Sequence, residues 1–364
     1  MKTTKISDYQ FFFIIFVSLT SLTFFSVPVQ LVSQVRQDLW LSMAIGTLID
    51  IYVAFLLTWL GTNYAGLSLV QYPQVILGKL AGKLIGVVFV LFFVGVITSS
   101  MWIFSDFLTR SLMPETPPLV ISLTMTLCAG FAAWAGIETI ARLAQLVGVI
   151  ILIASILLFL TSIPDLHLPN LLPQFENGID PAIRGSIYPG SWFGICMMMG
   201  MLIPHQSASP KRTFQMKTYA VLLGSCLMTL NLLYSIAVMG PEMAQRLENP
   251  IYTFTRITNF LIFERVEVLL LLVYISGSFI TISTLYFVVS EGTKQVFRTK
   301  NNAFLLFPFG ILFAICPIFP LSSNTPFIDR YFAYWFPVVA LFIEGGITTL
   351  LFVVALMRQR TVRQ

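Results

Sequence analysis

Long apolar stretches, each close to the length of a membrane-spanning helix, alternate with short polar segments along the whole chain. A spanning helix needs about 20 apolar residues because the hydrocarbon layer is about 30 Å thick. The apolar stretches are continuous, which excludes the alternating strands of a membrane barrel. The ten predicted spans are Tyr9–Ser33, Leu39–Leu60, Leu84–Leu112, Leu119–Trp134, Arg142–Ile163, Pro181–Ile203, Thr218–Met239, Val266–Ser290, Ala303–Phe319 and Tyr334–Met357.

The composition supports an integral membrane protein. Of 364 residues, 57% are hydrophobic and only 10% are charged, whereas a soluble domain carries about 25% charged residues. The net charge of +5 is spread over short segments, so we expect no nucleic-acid binding. The four cysteines lie in apolar stretches and form no CxxC pair, so we expect no metal site and no cofactor. Residues 1–364 are interpreted as one polytopic domain in the lipid bilayer.

The basic residues predict the orientation. With the N-terminus placed inside, fourteen of the 21 lysines and arginines lie in inside segments, among them all the lysines. Membrane proteins keep such an excess on the cytoplasmic side. Both termini are therefore predicted to be cytoplasmic. A short interfacial helix is expected in Gly61–Lys83, and the apolar stretch Ile251–Phe263 is expected to lie on the outer surface or to dip into it.

Two predicted spans contain helix-breaking residues. The first carries Ser18, Thr20, Ser21, Thr23 and Ser26 before Pro28, and the sixth carries Pro189-Gly190 at its middle. Because the two interruptions lie five spans apart, they fit a 5+5 inverted repeat, with repeats at about 9–163 and 181–357. In such a fold, half-helix ends face a small polar ligand near the membrane midplane. In the simpler alternative, both prolines only kink packed helices.

Three acids lie within predicted spans, where a charge must face the bundle interior, pair with another group or be neutral. Asp106 is four residues from Arg110, and a structural ion pair is the favoured interpretation. Glu344 precedes Gly345-Gly346 and is a candidate gate, proton site or structural anchor. Asp50 lies in the middle of the second span without a local partner, and a functional and a structural role are equally open. No set of nucleophile, base and orienting group stands out, so we predict no enzyme.

The sequence resembles the B subunit of the GerA-type spore germinant receptors, a family of the amino acid–polyamine–organocation superfamily. The resemblance covers essentially the whole chain. It rests on the span pattern and on four short segments: Gly136-Ile-Glu through Ala141-Arg-Leu143, Leu202-Ile-Pro204 with the following Lys211-Arg212, Glu248-Asn-Pro-Ile-Tyr, and Phe263-Glu-Arg-Val-Glu267.

The resemblance implies a LeuT-like fold of ten helices with helices 1 and 6 broken. It also implies a ligand pocket between helices 1, 3, 6 and 8, a larger A-type membrane subunit and a C-type lipoprotein as partners, and a location in the spore inner membrane. The matching segments are Thr20–Thr23, Phe92–Ser99, Ser191–Gly194 and Ser278–Thr281. The ligand-binding candidates within them are Thr20, Ser21, Thr23, Phe92, Val96, Ser99, Ser191, Phe193, Gly194, Ser278 and Thr281.

Three hypotheses for function remain open at this point. The leading one is a subunit that recognises an amino-acid-like nutrient and signals by a ligand-biased conformational change. The second is an ion-coupled amino acid permease of the same fold, in which Asp50 or Glu344 would be coupling sites. The third is an assembly subunit that binds no ligand.

Overall fold

Ten apolar helical elements follow one another in a computed structural model, which describes residues 5–206, 209–257, 267–299, 303–315, 318 and 330–362. Within these residues, eight helical stretches are long and apolar enough to cross a membrane, and two shorter apolar helices accompany them. The helices are α1 (Asp8–Ser26 and Pro28–Val35), α2 (Leu39–Asn63), α3 (Lys79–Ser111), α4 (Pro118–Ala135), α5 (Ile137–Ser162), α6 (from Asp180–Gly185 to Ile203–His205), α7 (Pro210–Met239), α8 (Glu267–Phe297), α9 (Ala303–Ile315) and α10 (from Tyr331–Trp335 to Thr348–Val362).

These bounds agree with the ten predicted spans. The stretch Pro28–Asn63 is divided between two helices by a turn at Arg36, whose φ is 57°. Residues 316, 317 and 319 of the predicted ninth span, and the family segment Phe263 to Val266, lie outside the described residues. Large apolar side chains on the rim of the bundle are exposed, as suits contact with lipid: Leu91 is 62% exposed and Phe131 is 67% exposed. The chain is a multi-pass membrane protein.

Contacts with α6 give the directions of α1 and α2. The Ser42 hydroxyl donates to Ala182 O near the start of α6, and Gly61 packs on Ile203 near its end. Helices α2 and α6 are therefore parallel. In contrast, Gln34 of α1 donates to the Tyr188 hydroxyl, and the backbone of Ile6 before α1 meets the end of α6. Helix α1 is therefore antiparallel to both.

Helix α1 is interrupted where Pro28 predicts it, at Val27 between two helical segments. Helix α6 is interrupted away from Pro189-Gly190, which lie in the first turn and a half of the segment Ile187–Phe193. Proline is tolerated in a first turn because the backbone N–H there needs no helical partner. The interruptions of α6 fall instead at Ser186 and in the tighter 3₁₀ segment Gly194–Met198.

Helix α10 has two irregular turns that the sequence pattern did not predict. Segments Tyr331–Trp335 and Phe342–Ile347 are π-helical, and the second contains Glu344. A π turn inserts one extra residue into a helix, and such turns are frequent at functional sites. The extra residue re-aims the side chains of this turn, so Glu344 points into the bundle with only 1% of its surface exposed.

A short helix, Tyr72–Leu77, occupies the predicted position between α2 and α3. It packs on the start of α3 so closely that a Cβ at Gly82 would overlap the backbone of Pro73 and Gln74. The Tyr72 side chain is buried there, and burial raises the pKa of its phenol well above the ordinary value. A second short helix, Pro250–Ile257, lies before α8 and buries Ile251 and Phe254, so this part of the predicted surface segment packs into the bundle.

Candidate functional site

Two of the predicted ligand-binding residues meet between α1 and α8. The Ser21 Oγ lies 2.8 Å from Oγ1 of Thr281, 260 residues further along the chain. The helices approach closely because Gly277 has no side chain, and an added Cβ would lie 2.8 Å from the Ser21 Cβ. Ser278, also predicted, is buried next to this contact. The Thr281 hydroxyl donates to Gly277 O at 2.9 Å and accepts from Ser21, so both hydroxyls already have protein partners in this conformation.

The cavity beside this pair is small. Its volume is about 50 Å³, and Thr20, Ser21 and Phe24 line it from α1. The remaining lining residues belong to α5, α7 and α8 rather than to α3 and α6, and they include Ser155, Asn231 and Tyr274. A space of this size accepts a few water molecules. An amino acid would need α1 to move relative to α5 and α8.

The predicted residues of α3 face α10. Phe92 and Val96 line a largely apolar groove of about 320 Å³ together with Phe336 and Ile343. The Ser99 hydroxyl lies 3.4 Å from the hydroxyl of Tyr331 in the first π turn of α10. These three residues therefore contact helix 10, which the resemblance did not include in the pocket, and they do not line the cavity beside the Ser21–Thr281 pair.

The other predicted hydroxyl residues bond to their own helices. Thr20 and Thr23 donate to the carbonyls of Phe16 and Leu19, one turn earlier in α1. The Ser191 hydroxyl donates to Tyr188 O in α6. Such bonds satisfy a hydroxyl group inside a membrane helix without any ligand. Phe193 is fully buried in α6, and the following Gly194 contacts α10.

A larger and more polar cavity lies at the end of the bundle where α1 finishes. Its volume is about 210 Å³. Asp106 and Arg110 project from α3 into it, and Glu248 projects from the segment before the helix Pro250–Ile257. The Arg110 guanidinium lies 2.8 Å from the Asp106 carboxylate and 3.7 Å from that of Glu248. The ion pair predicted within α3 is thus present, and it borders a cavity with charges of both signs.

Aromatic rings separate this cavity from the predicted site in α6. Trp102 of α3 and Phe332 of α10 line the cavity with their ring centroids 5.3 Å apart. On its other side, Phe332 stacks on Trp192 of α6, which also packs 4.4 Å from Phe336. Trp192 lies between Ser191 and Phe193 in the sequence. A ligand in the cavity would reach these residues only after the rings had moved.

Backbone and charged contacts join several helices at the opposite end of the bundle. The Ile6 N–H donates to His205 O at 2.9 Å, which joins the start of α1 to the end of α6. Next to it, Asp8 forms an ion pair with Arg212 of α7. The Leu69 N–H donates to Gly200 O at 3.0 Å. At the end where the chain starts, these contacts therefore join α1 to α6 and α7, and the segment before α3 to α6. A wider surface pocket of about 620 Å³ opens at the same end, with Gln71, Lys79 and Lys294 among its lining residues.

The partner of Asp50 is Lys217, which sequence reasoning placed in a polar segment. Both side chains are buried, with exposed fractions of 0% and 1%, and they form an ion pair between α2 and α7. The sequence carried one signal for this position: Lys217 falls on the buried stripe Thr213, Lys217, Ala220 and Gly224 of α7, with spacings of three and four residues. A lysine in such a stripe belongs to the interior of the bundle.

Glu344 lies in the same region and has no ion-pair partner within the part of the chain that the structure describes. A Cβ added to Gly194 would overlap its carboxyl group, so α10 and the 3₁₀ segment of α6 are in contact at this point. Neither carboxyl oxygen has a hydrogen-bond partner among the described residues. The buried Asp50, Lys217 and Cys196 are close enough to interact electrostatically with this carboxyl group. Two acids and one base are thus buried around the 3₁₀ segment.

The fold defines the class of protein. A solved nucleobase-cation-symport transporter, in a closed conformation with bromovinylhydantoin bound, aligns with 96% of this chain and 78% of its own chain at a TM-score of 0.72. Its sequence is 14% identical, so the likeness concerns the fold alone. The protein has the LeuT-type architecture of secondary transporters, as the broken first and sixth helices predict.

The family follows from sequence comparison. The family of spore germination proteins called spore permeases matches residues 5–325, and this chain belongs to it. Among similar proteins, spore germination protein YndE of Bacillus subtilis is 25% identical, with 98% of each chain covered. Spore germination protein KB of the same organism is 24% identical, with 77% of this chain and 76% of its own covered. The relatives carry several different germination names, so the B-subunit assignment is a finer statement than the family.

Proposed function

We propose that this protein recognises an amino-acid-like germinant as the B-type subunit of a germinant receptor in the spore inner membrane. The spore germination family and the transporter fold support this proposal. The observation that carries it is the polar cavity at the end of α1, in which Arg110, Asp106 and Glu248 present charges of both signs. An amino acid carries both charges, so its carboxylate would bind Arg110 and its ammonium group would bind an acid.

The ligand would enter this cavity first and move inward when the aromatic rings of Trp102 and Phe332 separate. In that second position it would meet Ser21 and Thr281, whose mutual hydrogen bond would open to accept it. A ligand shifts a conformational balance only through its different affinity for the two states. The ligand would favour the state in which α1 and α8 are separated, and the A-type membrane subunit and the C-type lipoprotein would receive the change.

The test is a germination dose–response in spores of the native host carrying Arg110→Gln. Loss of a charge-assisted hydrogen bond costs about 1.5–3 kcal/mol, so the half-maximal nutrient concentration should rise roughly 10- to 100-fold. The matched control is Arg142→Gln, because Arg142 forms an equivalent pair with Glu138, 2.6 Å away on α5. Immunoblots must show equal protein levels. The proposal fails if Arg110→Gln and gene deletion both leave the response to every nutrient unchanged.

An ion-coupled permease is the second candidate, and the fold favours it because the similar solved structure is a cation symporter. The distinguishing measurement is uptake of labelled amino acids by the purified chain in proteoliposomes. Uptake without any partner subunit, together with an unchanged germination response, would favour transport. No uptake, together with a shifted dose–response for Arg110→Gln, would favour recognition.

A further inference from the structure

The buried charges around the 3₁₀ segment of α6 do not balance. Asp50 and Lys217 neutralise each other in their ion pair, and Glu344 adds a third charge with 1% of its surface exposed. An ionised carboxylate without a partner is strongly unfavourable at such a position. Of the titratable groups on α2, α6 and α7, the buried ones near Glu344 are Asp50, Cys196 and Lys217. Among the described residues Lys217 is the only base in this group, and it is already paired with Asp50.

A proton on Glu344 supplies the missing positive charge. The carboxylate would take it from a hydronium ion of the solvent: an O–H bond of the hydronium ion breaks, a new O–H bond forms on one carboxyl oxygen, and a neutral water molecule leaves. A metal ion fits less well, since no group of three acidic, histidine or cysteine side chains in the described part of the chain could hold one. The Gly194 backbone lies directly against the carboxyl group, where an added Cβ would overlap it, so this side of the carboxyl has no room for a water molecule that would solvate a charge.

We propose that Glu344 is a proton-binding site whose occupancy controls the packing of α10 against the 3₁₀ segment of α6. With the proton bound, the π turn Phe342–Ile347 closes on Gly194. When the proton leaves, the carboxylate requires water, and the two helices separate to admit it. This site goes beyond germinant recognition, and it is independent of whether the chain signals or transports.

The two irregular segments are suited to this movement. A 3₁₀ segment and a π turn each depart from the regular α-helical hydrogen-bond pattern, and mid-helix irregularities of this kind mark hinges. The Thr348 hydroxyl also contacts Met197 Sδ at 4.0 Å, so α10 meets the 3₁₀ segment again one turn beyond Glu344. Since Cys196 is 1% exposed in the same segment, its thiol reports whether the two helices have separated.

The test uses the full chain purified in lipid nanodiscs. Infrared spectra at neutral pH should contain the carbonyl band of a protonated carboxylic acid, and the band should shift when glutamate is labelled with ¹³C. Glu344 is the only buried glutamate within the described residues, so this labelling identifies the group without a mutation. The band should disappear in Glu344→Gln and remain in Glu138→Gln, whose carboxyl is paired with Arg142 and 39% exposed.

The conformational part is tested by maleimide labelling of Cys196 with the other cysteines replaced by serine. When the pH is raised, the labelling rate should increase roughly tenfold more in the protein that retains Glu344 than in Glu344→Gln. Both proteins carry Cys196, so the comparison corrects for the ionisation of the thiol itself. A neutral-pH spectrum without a ¹³C-glutamate band would overturn the proposal, even if Glu344→Gln failed to fold. Equal labelling in both proteins would overturn the coupling. If sodium or potassium ions removed the band at constant pH, the site would bind a metal cation in place of the proton, and the proposal would be overturned.

Discussion

Gly194 is the position where a single methyl group tests the contact between α6 and α10. In Gly194→Ala the new Cβ would overlap Oε2 of Glu344 and lie 2.8 Å from Oε1. Glu344 is buried, so its carboxyl has no free space to enter, and one of the two helices must shift. Overpacking of this kind costs about 1–3 kcal/mol. Gly194→Ala is therefore expected to lower the free energy of unfolding by that amount.

The assay is unfolding of the purified protein by dodecyl sulfate in mixed micelles. Gly345→Ala is the matched control, because no atom lies within 4 Å of a Cβ added there. It should be neutral or stabilising by up to about 1 kcal/mol, since alanine favours a helix more than glycine does.

The double variant Gly194→Ala/Glu344→Ala isolates the contact. Without the carboxyl group, the alanine at position 194 should cost less than about 0.5 kcal/mol, which leaves a coupling energy of roughly 1–3 kcal/mol between the two sites. The reasoning is refuted if Gly194→Ala costs no more than Gly345→Ala, or if its cost is the same with and without the Glu344 side chain.

Three further predictions concern packing and orientation. Lys217→Met should destabilise the protein by about 3–5 kcal/mol, because it leaves Asp50 buried and unpaired. In the same unfolding assay the double variant Asp50→Asn/Lys217→Met should cost less than Lys217→Met alone, and additive costs would contradict the ion pair. Gly148→Ala should lower the free energy of unfolding by about 1–3 kcal/mol because its Cβ overlaps the Phe13 ring, whereas Gly95→Ala should be neutral. Adding Phe13→Leu to Gly148→Ala should restore most of the lost stability, and no recovery would show that the overlap with Phe13 is not the cause. In a cysteine-free background, an impermeant maleimide should label Glu176→Cys in intact cells but Lys79→Cys only after the cells are permeabilised. The reverse labelling pattern would contradict the predicted orientation.

The sequence was sufficient for the number, order and approximate bounds of the membrane helices. A lipid environment requires every backbone group to be satisfied within the helix, so length and apolar composition alone determine where a span lies. The interruption of α1 at Val27 was also predictable, because Pro28 removes a backbone donor at that position. Pairs such as Asp106–Arg110 and Glu138–Arg142 could be predicted because a helix brings residues four apart onto one face.

The candidate site was only partly predictable, because it depends on contacts between distant helices. Asp50 and Lys217 are 167 positions apart, and no local pattern pairs them. In the sixth helix the conspicuous Pro189-Gly190 lies in a regular segment, and the irregular turn follows at Gly194, where tertiary packing leaves no room for a side chain. The predicted residues of α3 turned out to face α10, which a pocket inferred from four helices did not include.

By itself, then, the sequence determined that this protein spans the membrane many times and where its first helix breaks, because those properties depend on local composition and backbone chemistry. Only the tertiary structure decided which polar groups meet. In the folded chain Ser21 contacts Thr281, Asp50 forms an ion pair with Lys217 of α7, and Glu344 lies against Gly194. The physical reason is that a buried charge gains or loses several kcal/mol according to its neighbours, and those neighbours are set by how whole helices pack.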